Sequence, residues 1–562
     1  MKRILIGQRG VGKTSFLNRH QIYFPDIIHY DLDAEIEKET QKKISEIFNE
    51  AGEIVFREYE LNIFKRLIQQ DSFVISVGGG FNPKDIPEFI EVIYISRRTD
   101  SDGRIFLNRP KINKDLTDLE DSLKLYNSRH VKFLDRADFV YHMPEGLKSP
   151  DNIEKQIFEF NLNISSYLTV QKNNNLEMKH NFLELRDDIF NHNQITNIIK
   201  ENFSKNFIIS CRKNNSEILA DYKLKNIKYD WALELGPPPL DLIDLNNIVS
   251  AHEGDILSCI NRLAQFENFH LKLCPVIKNW SELELGYEWQ RKNPDSRSFL
   301  PRTLTGKSDY RWYRILATRF QKINFVQGLQ DFDDQPSFYE LKKFNDINMT
   351  KEFGAVVGYP IHQSRSFIEQ NILLVPILEK DFYQGIAFLV SLGLNRLAVT
   401  SPLKKVAAEF CNLKLEINSL VLKKDKWIGI STDHYGFNKL VELIPDQLKK
   451  NIVVWGSGAV TSALLKEMPD LKIYSARTGI AKNTEAKDNP QILIWASSRS
   501  QAVQWPHLVY PNWKIEIILD LNYAENSMGI ECAKYFNAKY ISGLEMFYEQ
   551  AKYQRQFWKD NL

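Results

Sequence analysis

A glycine-rich motif with a lysine and a threonine stands near the start of the chain. Residues 7–14 read Gly-Gln-Arg-Gly-Val-Gly-Lys-Thr and follow a short apolar run. A turn of this kind, shaped here by Gly10 and Gly12, directs backbone N–H groups at a phosphate in front of a helix N-terminus. Lys13 would reach the β- and γ-phosphates, and the hydroxyl of Thr14 would hold Mg²⁺. The motif therefore predicts a site for ATP and magnesium.

Carboxylates, glycines and arginines follow this motif at intervals. Asp31 and Asp33 are two residues apart at the end of a predicted strand, so their side chains share a face. One carboxylate can bind Mg²⁺ while the other holds or deprotonates a substrate hydroxyl. Arginine forks suit a carboxylate on the substrate, and phosphoryl transfer needs positive charge around the γ-phosphoryl group. The further candidates in this region are Arg57, Gly79, Gly80, Arg109 and Arg129.

These motifs, read as D-x-D, F-R-x-x-E, G-G-G and R-x-x-x-x-R-P, resemble those of shikimate kinase. The resemblance extends over residues 1–165, and it departs from the family at Phe133, where the family has a tyrosine. It implies a catalytic set of Lys13, Asp33 and Arg109, with Arg109 as the lid arginine and Asp31 as a magnesium ligand. The residues that it assigns to shikimate binding are Asp33, Arg57, Gly79, Gly80 and Arg129.

A second group of candidate residues lies in the middle of the chain. Lys272 stands inside the apolar run 270–275, where a charged lysine is costly unless it is paired or neutral. Desolvation lowers the pKa of a lysine ammonium in general, and the neutral amine is the form that Schiff-base chemistry needs. His252, at the end of another predicted strand, could move the protons.

The order E-L-R, S-x-H and then a strand lysine resembles type I 3-dehydroquinate dehydratase. The resemblance implies an imine between Lys272 and the substrate ketone, with His252 as general acid and base. Two family motifs are missing. In place of E-G-G the chain has Lys-Asn-Asn at 213–215, and in place of S-A-P-G-Q it has Asp-Phe-Asp-Asp-Gln at 331–335. The residues that the resemblance assigns to substrate binding and site closure are Glu184, Arg186, Arg311 and Gln335.

A third group of motifs lies toward the end of the chain. It comprises G-x-P-I-x-x-S-x-S from Gly358, V-T-x-P-x-K ending at Lys404, an Asn-Ser pair, and T-D-x-x-G containing Asp433. This order resembles shikimate dehydrogenase, although Ser431 replaces the family asparagine before T-D. The resemblance implies that Lys404 and Asp433 form the catalytic pair beside the reacting carbonyl. The residues that it assigns to the substrate are Ser364, Ser366, Thr400, Asn418 and Gln550.

A pair of glycines after an apolar strand predicts a nucleotide-binding half in this third region. Residues 452–455 lead into Gly456-Ser457-Gly458, a turn suited to the pyrophosphate of a dinucleotide. Arg477, followed by Thr478, comes at the end of the next predicted strand. An acidic residue there would bind a ribose 2′-hydroxyl, whereas an arginine suits a 2′-phosphate. The pattern therefore favours NADP(H) over NAD(H).

The elements that must position these residues alternate between strand and helix patterns, which is typical of parallel α/β sheets. We predict a multidomain α/β protein with a P-loop kinase sheet at 1–165, a (β/α) barrel-like domain at 175–345 and a two-part dehydrogenase at 352–562. The substrate half would take 352–445 plus the C-terminal helix, and a Rossmann NADP half would take 446–540. The middle region is short for a full barrel.

Charge and composition exclude several classes of protein. The 562 residues include 73 Lys and Arg against 72 Asp and Glu, so no global field favours nucleic acid or a membrane surface. The five cysteines form no C-x-x-C pair, and no apolar run approaches membrane-spanning length. The first residues enter a strand directly, so we expect no cleaved signal peptide. We expect a cytoplasmic protein with small-molecule substrates, and a homo-oligomer stays open.

The three implied reactions are consecutive: dehydration of 3-dehydroquinate, NADPH reduction of 3-dehydroshikimate and ATP phosphorylation of shikimate. Their order on the chain resembles the carboxyl half of the fungal pentafunctional arom polypeptide, and we expect a trifunctional enzyme. Two alternatives stay open. One is a non-catalytic sensor of quinate and shikimate with the same three domains, and the other is a kinase and dehydrogenase with an inactive barrel. The missing motifs of the middle region fit both alternatives, whereas the retained Lys13, Asp33, Lys404 and Asp433 argue against a sensor.

Overall fold

The structure is a computed structural model, and its described strands fall into two compact units, one with the strands up to Gln327 and the other with those from Phe353 onward. Two residues of interest, Arg109 and Gly458, lie outside the described residues. No helix of the described part is long and apolar enough to cross a lipid bilayer. The described residues are 1–97, 115–116, 118–143, 166–170, 178, 180–213, 227–239, 246–303, 310–327, 334–336, 340–341, 352–359, 361, 364, 366, 370–448, 451–456, 465, 468, 471–482, 489–497, 504–522 and 527–562.

A five-stranded parallel sheet carries the glycine-rich motif. Its strands, in the order β2-β3-β1-β4-β5, are β1 Lys2–Ile6, β2 Ile28–Asp31, β3 Phe73–Ser76, β4 Glu91–Arg97 and β5 Phe139–Met143. The helices of this region are α1 Lys13–Tyr23, α2 Leu32–Thr40, α3 Ile44–Leu67 and α4 Asp118–Arg136, with a short 3₁₀ turn at Pro83–Asp85. The order of the strands reverses beside β1, and such a reversal opens a crevice at the carboxyl ends of the strands.

Eight parallel strands follow in chain order, and the last returns to pair with the first through Phe325 and Tyr167. Tyr167, Ile208, Ile248 and Phe325, from well-separated strands, pack in one core, so the sheet is rolled into a barrel. The strands are β6 Tyr167–Thr169, β7 Phe182–Arg186, β8 Asn206–Cys211, β9 Ile227–Ala232, β10 Ile248–Ala251, β11 His270–Leu273, β12 Arg297–Phe299 and β13 Phe325–Gln327.

The predicted barrel is confirmed as an eight-stranded one, although its region is short. Eight strands fit into this short region because the strands and helices are themselves short. In addition, β6 lies at 167–169, outside the predicted range 175–345. The helices are α5 His192–Glu201, α6 Ile256–Leu263, α7 Trp280–Arg291 and α8 Arg311–Ala317, with a 3₁₀ turn at Leu233–Leu235.

The second unit contains two further sheets. The first is mixed, since β17 is antiparallel to both neighbours, and it has the order β15-β14-β16-β17-β18. The second is wholly parallel, with the order β20-β19-β21-β22-β23. The strands are β14 Phe353–Gly358, β15 Leu373–Pro376, β16 Leu394–Val399, β17 Ser419–Lys423, β18 Lys426–Ile430, β19 Ile452–Trp455, β20 Lys472–Tyr474, β21 Ile492–Trp495, β22 Ile517–Asp520 and β23 Lys539–Ser542.

The last helix of the chain packs on the mixed sheet, as predicted for the substrate half. The indole N–H of Trp558 donates to the carbonyl of Leu420 at 2.9 Å. The helices of this unit are α9 Phe382–Ser391, α10 Lys404–Phe410, α11 Asp433–Glu442, α12 Pro506–Val509, α13 Met528–Phe536 and α14 Leu544–Asn561, with 3₁₀ turns at Glu379–Asp381 and Asp446–Leu448.

Candidate active sites

The loop between β1 and α1 has the geometry that the glycine-rich motif predicts. Gly12 precedes α1 with a φ of 97°, a left-handed conformation that glycine adopts without strain. The ammonium of Lys13 donates to the carbonyls of Gly7 at 2.8 Å and Gln8 at 3.0 Å, so it lies over the loop. The hydroxyl of Thr14, in the first turn of α1, donates to Asp31 at 2.7 Å. Two oxygen donors suited to a hard cation therefore stand beside the anion site.

The two aspartates after β2 face different neighbours, which corrects the prediction of a shared strand face. Asp31 ends β2 and caps α2 by accepting from the backbone N–H of Ala34, so Asp33 falls in the first turn of a helix. Asp33 lies against Gly78, where an added Cβ would come within 2.9 Å of its carboxylate. Burial raises the pKa of Asp33, and the charge of Asp31 acts in the same direction.

Two predicted arginines meet at the glycine turn after β3. Arg129 donates to the carbonyl of Gly79 at 2.8 Å, and an added Cβ at Gly80 would lie 2.5 Å from the guanidinium of Arg57. Burial lowers the pKa of Arg129, and the charges of Arg57 and Arg9 add to the effect. Arg57 is also paired with the buried Glu60 at 2.6 Å. The turn is thus flanked by two guanidinium groups on one side and by the carboxylates of Asp33 and Glu60 on the other.

A cavity of about 530 Å³ lies in the barrel. Five of the predicted residues line it: Glu184, Arg186, His252, Lys272 and Gln335. Glu184 is buried and accepts from the hydroxyls of Thr169 and Ser210, and Gln335 lies 3.3 Å from the Thr169 hydroxyl.

Arg311 is the exception among the predicted barrel residues. It is not among the described residues that line the cavity, and its guanidinium lies 3.7 Å from Glu340. Arg314, one helical turn later, lines the cavity and donates to the carbonyls of Pro301 and Leu300 at the end of β12. The described contacts therefore place Arg314 against the cavity, and the role of Arg311 as a substrate ligand stays a prediction.

His252 is held by a carboxylate from the preceding strand connection. Glu234 accepts from the backbone N–H of His252 at 2.9 Å and lies 3.2 Å from its ring nitrogen Nδ1. Burial lowers the pKa of His252 to about 3, with the charge of Arg212 acting in the same direction. Burial alone would raise the pKa of Glu234, but the hydrogen bonds from His252 hold it well below its usual range. A neutral, oriented imidazole of this kind can accept a proton at neutral pH.

Lys272 is almost completely buried and contacts Asp230 through its ammonium. The same carboxylate oxygen accepts from Arg212 at 2.8 Å. Burial opposes the charge of Asp230, yet Arg212 and Lys272 together hold its pKa well below the usual range. On its other side the ammonium lies 4.3 Å from the centre of the Phe325 ring.

A cavity of about 180 Å³ gathers the predicted residues of the third region. Lys404 and Asp433 lie 2.6 Å apart, and the side-chain amide of Asn418 donates to the other carboxylate oxygen at 2.8 Å. Gln554, on α14, donates to the backbone carbonyl of Asn418 at 2.8 Å. The predicted residues that line this cavity are Ser364, Ser366, Thr400, Lys404, Asn418, Asp433 and Gln550.

The predicted nucleotide site is partly described. The backbone N–H of Gly456, which directly follows β19, donates to Tyr474 at 2.9 Å, and an added Cβ would lie 2.5 Å from the Ala496 carbonyl. Arg477 and Thr478 are exposed in the turn after β20, which pairs with β19. An exposed arginine at this edge can meet a 2′-phosphate.

Comparison with known proteins identifies the first region. The family model for shikimate kinase matches residues 9–139. The shikimate kinase of Aquifex aeolicus is 30% identical over 173 residues, which is 28% of this chain and 94% of that protein. The chain belongs to the shikimate kinase family. The shikimate kinase of Flavobacterium psychrophilum is likewise 30% identical, over 177 residues and 96% of its length.

Two solved structures are similar to part of the chain at a low level. Shikimate dehydrogenase from Aquifex aeolicus matches with a TM-score of 0.31 and 19% identity, over 38% of this chain and 96% of that chain. The dehydroquinate dehydratase and shikimate dehydrogenase from S. pombe AroM matches with a TM-score of 0.28 and 15% identity, over 72% of this chain and 97% of that chain. Scores of this size carry no functional argument, so the second and third sites rest on their own geometry.

The residue at which the shikimate kinase region differs from its family pattern lies in the hydrophobic core. Phe133, which stands where the family has a tyrosine, is buried and packs on Tyr94 with ring centres 5.3 Å apart. Since this side chain is part of the core, the substitution removes a hydroxyl from a buried position.

Sequence reasoning missed several barrel residues that the structure brings to the site. Asp230 lies inside β9, Glu234 follows that strand, and Arg212 follows β8. A buried aspartate in an apolar strand and a charged residue just after a strand are signals visible in the sequence. What they contact depends on strand register, which the sequence pattern left open. The missed cavity arginines are Arg212, Arg302 and Arg314.

Proposed function

We propose that this member of the shikimate kinase family is a trifunctional enzyme that also dehydrates 3-dehydroquinate and reduces 3-dehydroshikimate with NADPH. One observation carries the proposal: the barrel cavity and the dehydrogenase cavity each gather the side chains that their own reaction needs, as the kinase loop does. The product of the first reaction is the substrate of the second, and the product of the second is the substrate of the third. A chain with all three sites can therefore convert 3-dehydroquinate to phosphorylated shikimate.

In the kinase reaction, the chain holds shikimate and accepts a proton. Arg57 and Arg129 bind the carboxylate of shikimate beside the glycine turn. Asp33, whose pKa is raised by burial, takes the proton of the attacking hydroxyl. ATP supplies the phosphoryl group, Lys13 neutralises charge on the transferred group, and the oxygens of Thr14 and Asp31 fit Mg²⁺. By its resemblance, Arg109 would close over the phosphates.

In the dehydratase reaction, Lys272 acts as a nucleophile and His252 as the acid and base. The free amine of Lys272 adds to the ketone carbon, and the ketone oxygen leaves as water to give an imine. His252 removes the proton from the neighbouring carbon, a hydroxyl leaves as water, and hydrolysis of the imine frees Lys272. Glu184 and Arg186 hold the substrate, and Gln335 closes the site.

In the dehydrogenase reaction, Lys404 gives a proton to the carbonyl oxygen that becomes the new hydroxyl. Asp433 holds the ammonium of Lys404 in place, and Asn418 fixes Asp433 from the other side. Ser364 and Ser366 bind the substrate carboxylate, while Thr400 and Gln550 bind its hydroxyls. NADPH supplies the hydride, and Gly456, Arg477 and Thr478 fit its phosphates. By its place in the glycine motif, Gly458 would also bind the pyrophosphate.

The test is a stepwise assay of the full chain. With 3-dehydroquinate, NADPH and ATP, the trifunctional enzyme consumes NADPH and ATP in equal amounts and forms shikimate phosphate. Lys272→Ala stops conversion of 3-dehydroquinate but not of 3-dehydroshikimate, Lys404→Ala stops NADPH use, and Lys13→Ala stops only phosphorylation. A chain that reduces 3-dehydroshikimate and phosphorylates shikimate, yet leaves 3-dehydroquinate untouched, is instead bifunctional. The missing E-G-G and serine motifs favour that second candidate.

A further inference from the structure

Three charged side chains form one buried cluster in the barrel: Arg212 directly after β8, Asp230 in β9 and Lys272 in β11. A single carboxylate oxygen of Asp230 accepts from both Lys272 and Arg212. The side chain of Asp230 is fully buried, and those of Lys272 and Arg212 are only 4% and 16% exposed. Taken by themselves, these three side chains are two cations and one anion, largely away from water. The buried carboxylate of Glu184 shares the Ser210 hydroxyl with Asp230 and acts on Arg212 from outside this group.

A second cation beside a buried ammonium disfavours its charged form, and a neighbouring carboxylate favours it. Loss of one proton would leave one cation paired with one anion. Arg212 cannot supply this proton at ordinary pH, since a guanidinium stays protonated in proteins. The only proton of the cluster that can leave is on the ammonium of Lys272. After it leaves, Asp230 keeps Arg212 as its partner and no buried carboxylate is left unpaired.

We propose that Arg212 and Asp230 are opposed positioning residues for Lys272: Arg212 promotes release of its proton, and Asp230 retains the proton and holds the side chain in place. The inference rests on the proposed dehydratase reaction and specifies how its nucleophile is prepared. The ammonium gives its proton to water, and the lone pair of the free amine then forms the bond to the ketone carbon. The carbonyl electron pair moves to oxygen, which takes up two protons and departs as water.

Other charged or titratable groups act on the cluster from the strands around it. His252 stays neutral over the range of the test, because burial lowers its pKa to about 3. The test variants leave all of these groups in place. They are Glu184, Arg186, Asp187, Asp188, Cys211, His252, His270 and Cys274.

The test is the pH dependence of imine trapping in the full chain. The protein is incubated with 3-dehydroquinate and cyanoborohydride between pH 5 and 9, and the adduct on Lys272 is quantified by peptide mass. Arg212→Gln leaves a balanced pair of Asp230 and Lys272, so the midpoint of the trapping rate moves up by about one pH unit. Asp230→Asn leaves two cations together, so the midpoint moves down by about one pH unit.

A surface variant and a conservative variant serve as controls. Asp295→Asn removes an exposed carboxylate that pairs with Lys322 on the rim of the barrel, and its midpoint stays at that of the natural chain. Asp230→Glu keeps the negative charge, so its midpoint also stays, which separates the effect of charge from that of damage to packing. If Asp230→Asn does not fold, the upward shift in Arg212→Gln and the unmoved midpoint in Asp230→Glu still decide the matter.

The outcomes separate this inference from the proposed function. Opposite shifts in the two charge variants support it. Unmoved midpoints, or shifts in one direction, overturn it and leave the dehydratase assignment standing. No adduct on Lys272 in the natural chain at any pH overturns the dehydratase assignment and the inference with it.

Discussion

The ammonium of Lys404 lies 2.6 Å from a carboxylate oxygen of Asp433, although the two residues are 29 positions apart. Each is the first residue of its helix, Lys404 of α10 and Asp433 of α11. The positive end of a helix stabilises an aspartate and disfavours a lysine. The ion pair therefore offsets an unfavourable position for Lys404, and it holds the ammonium at the edge of the cavity.

We expect Lys404→Ala to lower the rate of shikimate oxidation by NADP⁺ by about 10²-fold or more, because the proton donor of the reaction is lost. Phosphorylation of shikimate by ATP should stay at its original rate. The adjacent Lys405→Ala is the matched control, since this lysine is 77% exposed and its nearest carboxylate is Glu409 at 4.0 Å. Equal oxidation rates in both variants would remove Lys404 from the mechanism.

We expect Arg129→Ala to raise the KM for shikimate in the kinase assay by about 10- to 100-fold, the cost of a charge-assisted hydrogen bond. The KM for ATP should change little, which separates a lost substrate contact from a damaged phosphate loop. Arg66→Ala removes an arginine that is 61% exposed and paired with Glu39, and it should leave both constants unchanged. A parallel rise in both KM values for Arg129→Ala would speak for a structural role only.

We expect Arg477→Asp to reverse the preference of the dehydrogenase for NADP⁺ over NAD⁺. An aspartate repels a 2′-phosphate and can bind a ribose 2′-hydroxyl. The measurement is the ratio of kcat/KM for the two cofactors, which should fall about 100-fold, or about 3 kcal/mol. Lys514→Asp makes the same change of charge at an exposed residue ahead of β22, at the amino ends of the strands rather than at the carboxyl ends where Arg477 lies, and should keep the ratio. An unmoved ratio in Arg477→Asp would show that another residue reads the phosphate.

We expect His270 to make the barrel acid-sensitive. Burial lowers the pKa of His270 from its ordinary 6.5 to about 4, with the charge of Lys228 acting in the same direction. Above pH 6.5 both folded and unfolded chains hold a neutral imidazole. As the pH falls below 6.5 the unfolded chain takes up the proton first, so stability is lost, by about 2 kcal/mol at pH 5 and at most about 3 kcal/mol below pH 4.

The measurement is the free energy of unfolding by denaturant at pH 7 and pH 5. His270→Asn should lose about 2 kcal/mol less than the natural chain between these two values. The hydroxyl of Ser298 lies 2.9 Å from the His270 ring, and Ser298→Ala removes this partner without removing a titrating group. Its destabilisation should be the same at both pH values. Equal losses in all three proteins would contradict the prediction.

The parts of the sites that could be predicted from the sequence are those formed by short, local motifs. The phosphate loop at 7–14 is local, so the glycines, Lys13 and Thr14 take their geometry from a few adjacent backbone angles. The alternation of strand and helix patterns likewise predicted the parallel sheets. A parallel strand is buried on both faces, so it appears in the sequence as a continuous apolar run. The order of motifs in the third region was enough to nominate Lys404, Asp433 and Asn418, which the cavity then gathers.

Side-chain contacts between different strands could not be predicted from the sequence, because they depend on the tertiary structure. The contacts of Asp230 with Lys272 and Arg212 depend on the registers of β8, β9, β10 and β11, in which Ser250 pairs with both Ala232 and Lys272. The rotational phase of α8 places Arg314, rather than Arg311, toward the barrel. The cap that Asp31 provides starts α2 at Leu32, so Asp33 lies on a helix and not on a strand. The sequence by itself therefore determined which side chains are available for chemistry, whereas strand register and helix phase determined which of them meet, because those quantities arise only when distant segments pack.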